Sequence, residues 1–138
     1  MEIQAILQYR NQFYELDVRG YDDFAETVKA IYIEEEEHLG ELGKRIKELG
    51  GEPTADPFQS AERGQDISTI FAFDTDLESN TMDSYNQFAM ICREARDTIS
   101  ARLLEEINTD EQAHFIKYRV VRDFIAQYGD SYLSNKAR

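Results

Sequence analysis

The only two histidines of this chain each lie three residues after a glutamate, in Glu35-x-x-His38 and Glu111-x-x-His114. On a helix that spacing stacks carboxylate and imidazole on one face, where both can reach one metal ion. Two such pairs from two helices, completed by one glutamate from each of two others, make the ligand set of a carboxylate-bridged two-metal site in a four-helix bundle. A chain built this way has to supply four long helices.

Apolar periodicity supplies them. Ile6, Tyr9, Phe13 and Leu16 recur at helical spacing, which predicts a first helix over about 2–19, ended by Gly20. Asp22 and Asp23 suit a helix N-terminus, and Val28, Ile31, Tyr32, Leu39, Leu42, Ile46 and Leu49 carry a second helix over 22–50 to Gly50-Gly51. Residues 51–65 hold both prolines, Pro53 and Pro57, and read as a long crossover. Asp66 is a good N-cap for a third helix over 67–94, with Ile67, Ile70, Phe71, Tyr85 and Phe88 as its stripe. No glycine or proline marks the next boundary. A fourth helix over 97–128 carries Leu103, Leu104, Ile107, Phe115, Tyr118, Val121 and Ile125. Gly129 closes it, and Asp130–Arg138 has room for one or two further turns. The whole chain, 1–138, is expected to form a single all-α domain.

The remaining ligands are chosen by helix face. Glu2 lies on the first apolar stripe, whereas Glu15 falls with Gln8, Asn11 and Arg19 on the polar side. On the third helix Glu78 continues the line from Ile67, Phe71 and Asp74 toward Thr81 and Tyr85. The expected set is Glu2, Glu35, His38, Glu78, Glu111 and His114. Glu2 precedes Glu35 by 33 residues and Glu78 precedes Glu111 by 33, so each antiparallel pair brings its ligands to one height. Of the acid run Glu34–Glu37, only Glu35 is in register with Ile31, Tyr32 and Leu42. Four carboxylates and two imidazoles with bridging oxygens suit iron or manganese better than a closed zinc site.

The net charge of −13 disfavours nucleic-acid partners, which need a basic face, and suits a protein that attracts cations. No apolar run reaches membrane-spanning length and no basic-then-apolar leader opens the chain, so no membrane partner and a cytoplasmic location are expected. Cys92 is alone and sits among Phe88, Ala89 and Ile91, as a buried thiol would.

At these residues the chain resembles the ferritin-like superfamily, and bacterioferritins most. The resemblance rests on the order Glu, Glu-x-x-His, Glu, Glu-x-x-His, on Leu49-Gly50-Gly51-Glu52-Pro53 after the second helix, and on Asp110-Glu111-Gln112-Ala113-His114. It implies an antiparallel four-helix bundle with a long crossover between helices 2 and 3 and a short fifth helix. It also implies a ferroxidase centre of two iron ions, with Glu35 and Glu111 as the bridging carboxylates. Tyr9 matches a tyrosine beside that centre, and Asp74 reads equally as an acceptor for a ligand imidazole N–H and as a partly solvated acid near the helix start. The family's haem-ligating methionine comes directly after the first bridging glutamate. Here that position is Glu36, so haem is not expected. A histidine and an aspartate on the family's inner route to the site correspond to Ala30 and Glu34. The family's first helix extends further upstream of the position of Glu2, so this chain is either a fragment or has a short first helix.

Three functions are open to such a chain. The first is oxidation of Fe(II) with O2 or H2O2, with iron storage in a homo-oligomer. The second is peroxide detoxification at a rubrerythrin-like or manganese-catalase-like site, although the extra third-helix glutamate of rubrerythrins is replaced by Thr81. The third is a metal-free helical adaptor with an acidic surface.

Overall fold

The computed structural model describes residues 1–138 and contains five helices and no strand. They are α1 (Glu2–Val18), α2 (Asp22–Glu48), α3 (Ile67–Glu94), α4 (Thr98–Tyr128) and α5 (Asp130–Lys136). The residues group into two compact units, one of Met1–Ile70 with Gln127–Arg138, the other of Phe71–Ala126.

In the first unit α1 ends in a Schellman motif. Gly20 adopts φ 85°, and the N–H groups of Gly20 and Tyr21 donate to the carbonyls of Asp17 and Leu16. The tight turn lays α2 antiparallel to α1. Their pairing shows in Arg10 against Glu36 and in the Phe13 and Tyr32 rings, whose centroids are 6.1 Å apart. Tyr9, Leu16, Val28 and Ile31 form the buried apolar seam. Gly50, at φ 84°, ends α2 in the same motif. Near that end Ile46 and Leu49 are exposed, so the apolar stripe of α2 outruns its buried part.

One expectation fails on α1. Gln8 is wholly buried and does not face solvent. Its amide nitrogen donates to the Glu62 carbonyl and to Gln65 Oε1, and its oxygen accepts the Glu62 N–H at 2.8 Å. Gln12 also donates to Gln65 Oε1, at 2.9 Å. The crossover is therefore held against α1 by buried amides. These satisfy backbone groups that a purely apolar surface would leave unpaired. The chain's last segment packs in the same unit. Tyr132 lies over Phe24 with centroids 6.1 Å apart, and partial burial raises its phenol above the ordinary pKa. Arg138 donates to the Asp17 carbonyl and the Asp22 carboxylate.

In the second unit α3 and α4 are antiparallel, since Arg93 meets Glu105, Asn86 meets Asn108 and Phe71 meets Tyr118. The turn between them is another Schellman motif, with Asp97 N–H on the Cys92 carbonyl and Arg96 N–H on the Arg93 carbonyl. The left-handed position here is Arg96, at φ 62°. That is why no glycine signals the boundary. Asp97 then caps α4, accepting the Ser100 N–H at 3.0 Å. Because an L-residue with a side chain is strained at such a φ, Arg96→Gly is expected to stabilise the protein by about 0.5–1 kcal/mol. A higher urea midpoint at unchanged m-value would register it.

The far end of α3 departs from expectation. Tyr85 and Ala89 are buried, but Phe88, about 100° round the helix from Ala89, is exposed. Cys92 is only half-buried, because the buried line of α3 ends at Ala89, before reaching it.

Candidate metal centre

Each unit contributes three ionisable side chains from two helices. In the first, Glu2 comes from the opening turn of α1, and Glu35 and His38 from successive turns of α2. Their ligand atoms all lie within 4.8 Å of one another. His38 Nδ1 stands 3.0 Å from Glu35 Oε2. Of the four acids Glu34–Glu37 only Glu35 is buried. Glu36 turns outward and pairs with Arg10 at 2.5 Å, while the Arg10 guanidinium lies 5.6 Å from the centre of the Tyr32 ring. Glu15 stays near the surface beside Arg19, at 3.2 Å.

In the second unit Glu78 comes from the middle of α3, and Glu111 and His114 from the middle of α4. Their ligand atoms also lie within 4.8 Å of one another. His114 Nδ1 is 3.8 Å from Glu78 Oε1 and 3.8 Å from Glu111 Oε2. That separation is too long for a hydrogen bond. It is the separation of two ligands on a common ion: donors each about 2.1 Å from a metal, at roughly 110–130° to one another, stand about 3.4–3.8 Å apart.

All six side chains are at most 5% exposed. Burying four carboxylates is very costly unless hydrogen bonds, cations or metal ions compensate them. Interrupting an apolar seam with acids in each unit is therefore a construction for cations. The oxygen-rich set with one imidazole per unit matches the preference of iron and manganese. Tyr9, on α1 two turns after Glu2, and Asp74, on α3 one turn before Glu78, are both completely buried. Tyr118, one turn beyond His114, is buried as well, with its ring 6.1 Å from that of Phe71. Its i+4 spacing from His114 is visible in the sequence, where it reads only as core.

A model of the ferritin-like domain family matches residues 1–119. A bacterioferritin of Desulfovibrio desulfuricans is 42% identical over 137 residues, covering 99% of this chain and 76% of the relative. The chain belongs to the bacterioferritin family. The solved structure of the Desulfovibrio protein, described as showing its diiron site in different catalytic states, superposes with a TM-score of 0.97 over 99% of this chain and 80% of that one. A bacterioferritin of Mycobacterium tuberculosis superposes with a TM-score of 0.91 at 28% identity, over 99% of this chain and 86% of that one. The fold is thus the family's four-helix bundle with a short C-terminal helix, here α5. No helix is long and apolar enough to cross a membrane.

Proposed function

We propose that this protein is a ferroxidase and iron-storage subunit that oxidises Fe(II) to Fe(III) at a two-metal carboxylate site. The observation that carries this is the position of His114 Nδ1, equally far from two buried carboxylates at a distance suited to a shared ion. The diiron site of the 42% identical relative supports the same reading. Glu2, Glu35 and His38 would hold one Fe(II) and Glu78, Glu111 and His114 the other, with Glu35 and Glu111 bridging.

Fe(II) is the substrate. Two ions give up one electron each, and O2 or H2O2 takes the pair with two protons, leaving H2O2 or water respectively. The protein binds the substrate ions in pairs, so that a two-electron acceptor meets both donors together. Its four carboxylates favour the more highly charged product ions, because in a buried site each added positive charge is attracted strongly by nearby anions. Tyr9 and Asp74 would complete the surroundings, Asp74 by accepting an imidazole N–H and fixing the ring's orientation. The protein is proposed to act in the cytoplasm as a homo-oligomer, without nucleic-acid or membrane partners.

Haem does not fit in the manner of the family. The residue after Glu35 is a carboxylate already engaged by Arg10, not a thioether. A rubrerythrin-like peroxidase is disfavoured because Thr81 stands where the extra carboxylate would be, its hydroxyl donating to the Leu77 carbonyl at 2.9 Å.

Anaerobic titration with Fe(II) tests the proposal. Two ions per chain are expected to bind, and admission of O2 or H2O2 should then oxidise both. Binding should weaken as the pH falls, because protons compete for the carboxylates and imidazoles. Absence of Fe(II) binding would sink the reading. Manganese in the purified protein, with fast H2O2 disproportionation, would transfer it to the peroxide class.

A further inference from the structure

The side chains of the metal centre repeat along the chain with one spacing. A shift of 76 residues carries Glu2 to Glu78, Glu35 to Glu111 and His38 to His114. The same shift carries Tyr9 to Tyr85. Both tyrosines are among the largest side chains that the fold buries completely. Each follows the lone glutamate of its helix by seven residues, Tyr9 after Glu2 on α1 and Tyr85 after Glu78 on α3. Seven residues are nearly two turns, so phenol and carboxylate share a helix face. Long side chains on a helix lean toward its N-terminus, which turns each ring back toward its glutamate. In the second unit Asn108 Nδ2 donates to Asn86 Oδ1 at 3.0 Å, and Asn108 lies one turn before Glu111. Tyr85, next to Asn86 and buried, therefore sits in the seam of α3 and α4 beside the ligands. Tyr118 is buried as well, but the first half has Leu42 at the equivalent position, so the repeat does not include it.

A phenylalanine would fill the place of Tyr85 without the cost of burying a hydroxyl. What the hydroxyl adds is redox chemistry. The chain has no tryptophan and Cys92 is only half-buried, so phenols are the buried side chains that give up an electron most readily. The electron count supplies a use for them. Two Fe(II) ions bring O2 only as far as H2O2, whereas two waters require four electrons. Two phenols make up the difference.

Resting on the ferroxidase reading, we propose that Tyr85, the counterpart of Tyr9, is an electron donor to O2 at this centre, so that two Fe(II) ions and two phenols together reduce O2 to two waters. Each Fe(II) gives one electron and becomes Fe(III). Each phenol gives one electron and its hydroxyl proton and becomes a neutral tyrosyl radical. Two further protons come from solvent, the O–O bond breaks and four O–H bonds form. Two later Fe(II) ions, with two protons, return the radicals to phenols. The reaction then releases no H2O2 where more Fe(II) is arriving.

Oxidation of two equivalents of Fe(II) per chain by excess O2 tests this in the wild type, Tyr85→Phe and Tyr14→Phe. Freeze-quench electron paramagnetic resonance reads the tyrosyl radical, and a peroxidase-coupled dye reads released H2O2. At two equivalents no Fe(II) remains to reduce the radicals, so they accumulate. The wild type is expected to show the radical and release little H2O2. Tyr85→Phe should lose about half of the radical signal and release close to one H2O2 for each pair of Fe(II) oxidised, because its electrons fall short of two waters. Tyr14→Phe, a change at an exposed ring, should match the wild type. Fe(II) oxidation without any radical, or with radical and H2O2 yields that Tyr85→Phe leaves unchanged, overturns the role of Tyr85 while the ferroxidase reading stands. A wild type that oxidises no Fe(II) overturns both.

Discussion

His114→Ala is expected to lower the rate of Fe(II) oxidation by at least about a hundredfold while leaving the helical content intact. Removing a group that only orients a metal ligand already costs about 10–100-fold in affinity or activity, so deleting a ligand should reach or exceed the upper end. The geometry gives the reason. His114 Nδ1 is the one nitrogen of its unit placed 3.8 Å from both Glu78 and Glu111. Without it an ion there would keep two carboxylates and lose the donor that sets its position between them. Because the proposed reaction takes one electron from each of two ions, loosening one ion removes the pair. His38→Ala should behave alike from the other unit, where Nδ1 stands 3.0 Å from Glu35. Glu15→Gln, a surface change beside Arg19, should leave the rate unaltered and serves as the control. The measurement is stopped-flow oxidation of two equivalents of Fe(II) per chain, with circular dichroism to verify folding. Equal rates in wild type and His114→Ala would remove the proposed site.

Much of this architecture is legible in the sequence because buried acids are expensive. An apolar stripe interrupted by Glu2, Glu35, Glu78 or Glu111 at 3.6 periodicity already says that the acid faces the core, and all four do. Helix ends are legible where the chain uses glycine for the left-handed position, at Gly20 and Gly50, and obscure where Arg96 takes it. Local propensity does not reveal that the surrounding hydrogen bonds outweigh strain at a non-glycine residue. Polarity misleads at Gln8. A glutamine on a polar face reads as solvent-exposed, and only the non-local approach of residues 62–65 makes it a buried support for the crossover. Phe88 and Cys92 show the converse limit. Hydrophobicity proposes a core position, but whether another surface covers it depends on tertiary packing that periodicity alone does not contain.

Replacing the whole trio Glu78, Glu111 and His114 by leucine is expected to stabilise the metal-free protein by about 1–4 kcal/mol, as when a buried charged triad gives way to apolar side chains of similar volume. All three are at most 1% exposed, and polar contacts inside the protein repay only part of the hydration they have lost. At roughly 3–5 °C per kcal/mol for a chain of this size, the melting temperature should rise by about 3–20 °C. Glu78→Leu alone should act in the opposite direction, because it leaves His114 and Glu111 buried with one member of their set gone. Metal reverses the ranking. A redox-inert divalent ion such as Zn(II), at about a thousand times its dissociation constant, should stabilise the wild type by about 4.1 kcal/mol and the trileucine variant far less. Thermal melts of both proteins with chelator and with Zn(II) provide the comparison. A trileucine variant less stable than the metal-free wild type would show that the trio supports the fold without metal. Undiminished Zn(II) stabilisation in that variant would show that the ion binds elsewhere. The expected crossing, with the variant more stable when empty and less stable when loaded, marks residues kept for the ions they hold at a cost to the fold.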